Sequence, residues 1–165
     1  MKRQVVYPGT FDPITKGHLD IIERASKMYD EVTVAVAAGG HKNPFFSVEE
    51  RMDMVKKVVS GLKGVKVDSF NGLLVDYMKK SKKRLVIRGL RAISDFEYEF
   101  QLALLNKKMM GDDIELIYMM PGEKYLYISS SAVKEIASHG GNVREFVHPY
   151  VAKIINKRYK NIVLR

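Results

Sequence analysis

The side chains of this 165-residue chain whose setting suggests chemistry are a histidine, two arginines, a lysine and a row of serines, and all of them suit phosphate. His18 closes the stretch Tyr7-Pro8-Gly9-Thr10-Phe11-Asp12-Pro13-Ile14-Thr15-Lys16-Gly17-His18, which carries two prolines and two glycines between a short apolar strand and an amphipathic helix. The first backbone N–H groups of that helix have no partners within it, so its start is a ready place for an anion. The Thr10 hydroxyl can orient one phosphate oxygen and the His18 imidazole can donate to another. Taken alone, a histidine at a helix start is as readily a cap or a packing residue. The loop around it favours the anion site.

Lys42 lies in a second flexible loop, Gly39-Gly40-His41-Lys42-Asn43-Pro44, and offers a mobile point charge suited to the phosphate of an attacking substrate. Arg88 and Arg91 bracket Gly89-Leu90 directly after a short strand, where two guanidinium groups can clamp phosphate bidentately. The alternative for them is salt bridging to Asp95 or Glu99. Glu99 itself suits either a ribose hydroxyl or an arginine. Ile128-Ser129-Ser130-Ser131 brings hydroxyls and free amides to another helix start. Tyr125 and Tyr127 suit either stacking on a base or covering a loop.

The elements that must position these groups alternate. Arg3–Tyr7 reads as a strand and Gly17–Tyr29 as a helix, with Leu19, Ile22, Ala25 and Tyr29 on one face and Asp20, Glu23, Arg24 and Lys27 on the wet one. The nearly continuous apolar run Val32–Ala38 suits a central parallel strand. Ser47-Val48-Glu49-Glu50 is a capping box opening a helix to about Ser60. A strand over Val65–Phe70, a helix over Leu73–Lys80 and a strand over Leu85–Ile87 follow. Ser94-Asp95-Phe96-Glu97 is a second capping box, opening a helix to about Met109. That helix is apolar on more than one face, which points to a subunit contact. Ile114–Met120 is a fifth strand, and helices from Ser129 to about His139 and over Pro149–Tyr159 complete the chain. The alternation predicts one α/β domain over residues 1–165, an open, mostly parallel five-stranded sheet with helices on both faces, with a C-terminal helical segment from about residue 143. In such sheets ligands bind beyond the carboxyl ends of the strands, so the four loops can converge.

Composition narrows the classes. There is no cysteine, hence no disulfide framework and no thiolate site. No apolar run approaches the ~18 residues of a membrane span, and the first residues lack the pattern of a secretory signal, so a cytoplasmic protein that meets no membrane is expected. The net charge of +9 fits either nucleic acid or a small polyphosphate ligand. The basic run Lys79-Lys80-Ser81-Lys82-Lys83-Arg84 has no interleaved aromatics and reads as a solvated helix end, so no nucleic-acid partner is expected. Neither G-x-x-x-x-G-K-[ST] nor G-x-G-x-x-G is present, nor a nucleophile elbow, nor metal-ligand spacing, so no protein metal site is expected. Candidates that are all phosphate binders favour direct transfer between bound substrates.

At these residues the chain resembles the bacterial phosphopantetheine adenylyltransferases of the nucleotidyltransferase superfamily, whose fold is dinucleotide-binding-like. The resemblance rests on Tyr7–Pro13, on Thr15-Lys16-Gly17-His18 as the superfamily's H/T-x-G-H motif, and on Ile87-Arg88-Gly89-Leu90-Arg91, Asp95-Phe96-Glu97-Tyr98-Glu99 and Ile128-Ser129-Ser130-Ser131. It implies adenylyl transfer from ATP, with Mg²⁺ bound mainly through the nucleotide phosphates, to 4'-phosphopantetheine in coenzyme A biosynthesis; the alternatives are nucleotidyl transfer to another phosphorylated acceptor and a non-enzymatic nucleotide- or nucleic-acid-binding module. It implies catalytic roles for Thr10, His18, Lys42 and Arg91, and contacts to the acceptor from Thr10, Lys42, Leu74 and Arg88. ATP would be held by Thr10, Phe11, His18, Gly89, Leu90, Arg91, Glu99, Lys124, Tyr125, Leu126, Tyr127, Ile128, Ser129 and Ser130. A homohexamer inhibited by coenzyme A is implied as well. Two positions depart from the family pattern: Gly40 stands where a proline is common, and Tyr125 where tryptophan is.

Overall fold

The computed structural model describes residues 2–39, 44–110 and 113–163. The loop residues Gly40, His41 and Lys42, singled out above, therefore lie outside the described residues. Five parallel strands, β1 (Gln4–Gly9), β2 (Glu31–Ala37), β3 (Val65–Phe70), β4 (Leu85–Gly89) and β5 (Glu115–Met119), form one sheet in the order β3-β2-β1-β4-β5. The chain winds outward from β1 to β3, then returns to the other side of β1 for β4 and β5. That reversal opens a crevice beyond the carboxyl ends of β1 and β4.

The helices are α1 (Lys16–Met28), α2 (Val48–Val59), α3 (Leu74–Ser81), α4 (Ile93–Met110), α5 (Ser130–Ser138) and α6 (Pro149–Val163), with one 3-10 turn over Glu123–Tyr125. Side chains alternate between the faces of a strand. Val5 and Tyr7 of β1 accordingly join the larger core with Ile22 of α1, Met54 of α2, Val133 of α5 and Ile155 of α6. Val6 between them joins a smaller core with Val86, Val75 and Met78, under α3. Predicted elements and structure differ mainly at their ends: β1 and β4 each run two residues further toward the crevice, and α4 starts one residue before Ser94.

Two surface readings change. Asp20, assigned to the wet face of α1, is largely covered and accepts from the Gly122 N–H of the turn after β5 at 3.0 Å, while Arg24 stays exposed as assigned and donates to the Met120 carbonyl at 2.6 Å. In the basic run, Lys83 is not solvated. It turns under the sheet, donates to Glu31 at 2.9 Å and bonds the Thr33 hydroxyl, while Lys66 reaches the same carboxylate at 2.6 Å. On α4, Phe96, Phe100, Leu104, Leu105 and Met109 are each about half exposed, as its girth of apolar residues anticipated. Among the described residues no helix is long and apolar enough to cross a membrane.

Candidate active site

A cavity of about 830 Å³ opens at the crevice between β1 and β4. Its wall is built from the loop after β1 (Thr10, Phe11, Asp12), the start of α1 (Gly17, His18), the ends of β2 and β4 (Ala37, Arg88, Gly89), Arg91, Glu99 and the start of α5 (Ser129, Ser130, Ser131, Lys134), with Leu74 also on it. Four loops distant in sequence thus meet at one place.

His18 is the best-defined group. Thr15 is the N-cap of α1, with its side chain accepting from the His18 N–H, while the Thr15 N–H donates to Nδ1 of the His18 ring at 3.0 Å. An imidazole nitrogen that accepts from a backbone N–H carries no proton, so the proton of the neutral ring sits on Nε2. Burial, followed by the charge of Arg91, lowers the His18 pKa to about 4, so the ring is neutral at physiological pH. The cap and the site are one residue: Nδ1 closes the helix, leaving Nε2–H as a fixed donor.

Phe11 holds that ring. It has a positive φ of 49°, a conformation costly for a side chain of its size, and its buried ring packs edge-on against Tyr7 and His18 at centroid distances of 5.5 and 5.1 Å. The glycines beneath allow the approach. A Cβ on Gly9 would stand 3.0 Å from the Phe11 ring, and one on Gly89 would stand 3.0 Å from Ile21 and 3.2 Å from the Tyr7 hydroxyl. Burial pushes the Tyr7 phenol up despite the opposing charges of Arg88 and Arg91, so it stays a neutral hydroxyl.

Of the two readings of Glu99, the arginine pair is the one formed. Arg88 Nε donates to Glu99 at 2.7 Å and Nη2 to its other oxygen, a bidentate bond that orients the guanidinium and uses one edge of it. Burial works against the Arg88 charge, but the Glu99 carboxylate outweighs it and the pKa is raised. Arg91 reaches the Ile128 carbonyl at 3.3 Å, linking the β4 and α5 loops. The serine hydroxyls are largely committed to structure: Ser129 caps the Ala132 N–H at 3.0 Å and Ser130 donates to the Pro13 carbonyl at 2.8 Å. What they leave at the cavity is the amide end of α5. Lys124, Tyr125, Leu126 and Tyr127 belong to the rim segment between β5 and α5 and do not line the cavity wall, and Leu90 is held outside it by a 3.0 Å bond to Met119. Lys124 stands over the Tyr125 ring at 4.8 Å, and Tyr127 is 71% exposed.

A model of the cytidylyltransferase-like family matches residues 6–136, most of the chain and every loop of the cavity described here. The chain belongs to the cytidylyltransferase-like family. It is thereby a member of the nucleotidyltransferase superfamily, and the matched residues include every loop of the cavity. Two solved structures share the fold. A protein described as a nicotinate-nucleotide adenylyltransferase of Vibrio parahaemolyticus superposes with a TM-score of 0.73 at 17% identity, over 94% of this chain and 99% of the other. A Plasmodium falciparum nicotinic acid mononucleotide adenylyltransferase, complexed with NaAD, superposes with a TM-score of 0.68 at 15% identity, over 98% and 96%.

Two residues of the cavity wall, Asp12 and Lys134, and one behind it, Arg51, are not marked by the sequence. Asp12 is buried, accepts from the Phe45 and Phe46 amides at 2.9 Å each and from Lys134 Nζ at 2.6 Å. A charged residue on an otherwise apolar helix face was the one signal for Arg51, and it is too common to be decisive. No cluster of three potential metal ligands occurs among the described residues. The two carboxylates on the cavity wall are bound by Lys134 and by Arg88.

Proposed function

We propose that this chain transfers the adenylyl group of ATP to the phosphate of a small acceptor, and that the acceptor is 4'-phosphopantetheine, giving dephospho-coenzyme A and pyrophosphate. The observation that carries the transfer chemistry is His18, a neutral ring with its one proton on Nε2, at a cavity shared with Arg88, Arg91 and a helix amide end. That is a set of fixed donors without an activated nucleophile, suited to a reaction whose nucleophile is brought by the substrate.

An oxygen of the acceptor phosphate attacks the α-phosphorus of ATP in line. A new P–O bond forms as the bond from the α-phosphorus to its bridging oxygen breaks, and pyrophosphate leaves with that electron pair. The acceptor phosphate is already anionic near neutral pH, so no base is needed. His18 Nε2–H and the Thr10 hydroxyl donate to the charge that grows on the transferring group, while Arg91 and the α5 amides hold the nucleotide phosphates. Arg88, oriented by Glu99, and Lys42 hold the acceptor phosphate, with Leu74 against its organic part. ATP enters as its Mg²⁺ complex, since the carboxylates of the cavity wall are already engaged by cations.

Phosphopantetheine is supported by the loop sequences around Thr10, Arg88 and Ser129. The fold relatives act as support for a second acceptor class, the phosphate of a mononucleotide. Pyrophosphate release from ATP and Mg²⁺ distinguishes them when measured with 4'-phosphopantetheine, with nicotinate mononucleotide and with dephosphorylated pantetheine. Release with phosphopantetheine alone is expected. Release with the mononucleotide alone moves the assignment to the second class, and release with none of them refutes both. Assembly into a hexamer through the apolar face of α4, inhibition by coenzyme A and residence in the cytoplasm belong to the same proposal.

A further inference from the structure

Among the described residues the largest fully buried side chain is an arginine, and it lies directly behind the site. Arg51 projects from the first turns of α2, 1% exposed, without a carboxylate at salt-bridge distance among the described residues. Its guanidinium is spent on main-chain carbonyls: Nη1 donates to Thr10 and to Ala37 at 2.7 Å each, Nε to Phe46 at 3.1 Å, and Nη2 reaches Ala38 at 3.5 Å. Only a planar fork with five donors can serve four carbonyls at once. These are carbonyls at and beyond the carboxyl ends of β1 and β2, and from the segment before α2. They are the stems of the loops that form the cavity.

One of these bonds has a directional consequence. The Thr10 carbonyl and the Phe11 N–H belong to a single planar peptide and point in opposite directions. With the carbonyl drawn back onto Arg51, the Phe11 N–H is turned away from α2. It has no protein acceptor among the described residues, and Thr10 and Phe11 both line the cavity. Resting on the adenylyl-transfer reading, we infer that Arg51 is a positioning residue: it fixes the Thr10–Phe11 peptide so that its N–H, and the Thr10 hydroxyl beside it, face the transferring phosphate.

Arg51→Lys keeps the charge and loses the fork. Displacing a catalytic loop by as little as an ångström can cost on the order of a hundredfold in rate, so Arg51→Lys is expected to lower kcat about tenfold or more while the KM for ATP changes by less than about threefold. Thr10→Ala is then expected to cost clearly less in the Arg51→Lys background than in the wild type, because a displaced hydroxyl has less to lose. Equal costs in both backgrounds would overturn the inference, since a general loss of stability leaves the two effects additive. Should Arg51→Lys fail to fold, the wild-type protein decides: its Phe11 amide proton is expected to move downfield when ATP is added, and an unmoved amide at saturation overturns the role. This NMR arm needs ATP binding and no turnover. A wild type inactive with every acceptor but with a shifted Phe11 amide therefore counts against the acceptor assignment and for Arg51.

Discussion

His18 yields a quantitative expectation because one ring nitrogen is bound to the backbone. Thr15 N–H donates to Nδ1, and burial with the charge of Arg91 lowers the pKa to about 4. Protonation would set an N–H against an N–H and break the cap. At pH 5.5 a group with that pKa is about 3% protonated, against about 90% for an unperturbed histidine. The assay is proton NMR of the imidazole C2–H signals of the free protein from pH 5 to 8, with His18→Gln assigning the signal among the four histidines. Using the free protein avoids the titration of the acceptor phosphate near pH 6. A flat His18 signal over that range is expected, and a midpoint near 6.5 would refute the tautomer and the role built on it. The sign for stability follows: the unfolded ring binds a proton that the folded ring rejects, so this contribution is complete above about pH 6.5 and is lost as pH falls toward 4. His18→Ala removes cap and donor together, at about 1 kcal/mol of stability and about 10²- to 10³-fold in turnover. His18→Gln returns an acceptor to the Thr15 N–H at the position where capping boxes use glutamine. Stability is expected to recover in it while most of the turnover loss persists.

Three further outcomes are expected. Gly89→Ala puts a methyl 3.0 Å from Ile21 and 3.2 Å from the Tyr7 hydroxyl, costing about 1–2 kcal/mol in chemical denaturation and weakening ATP binding by calorimetry; unchanged values for both would contradict the tight floor. Glu31→Gln strands the buried Lys83 and is expected to cost about 2–3 kcal/mol, a fall of roughly 5–10 °C in Tm. Bonding first to Lys66 and then to Lys83 holds the Glu31 pKa at about 2, so the wild type should lose this advantage as pH drops from about 4.5 toward 2; a variant equally acid-labile would refute that. On the proposed assembly through α4, Leu104→Glu with Leu105→Glu, both residues 59% exposed, is expected to reduce the mass in light scattering while leaving the fold's circular dichroism intact, and an unchanged mass would refute that assembly.

Periodicity and punctuation in the sequence were enough for the sheet class and for the loops that line the cavity. Alternation of short apolar runs with amphipathic segments is a local property, and a parallel α/β sheet is the arrangement that buries both. The Ser47 capping box and the Val65–Phe70 strand lie where their residues put them, because caps and strand runs are decided within a few neighbours. The convergence of His18, Arg88, Arg91 and Ser129 on one cavity was legible for the same reason, since they sit beside turn residues that mark strand ends. Strand order was not legible. Whether β4 returns to the free side of β1 depends on which helix faces each half of the chain can cover, a long-range matter. Choices between partners were equally remote. Arg88 took Glu99, eleven residues away, Asp12 took Lys134, 122 residues away, and Arg51 took a carbonyl 41 residues away. No local pattern distinguishes such a buried charge from a solvated one. Burial makes an unpaired polar group costly, and only the tertiary fold fixes which distant groups can satisfy it.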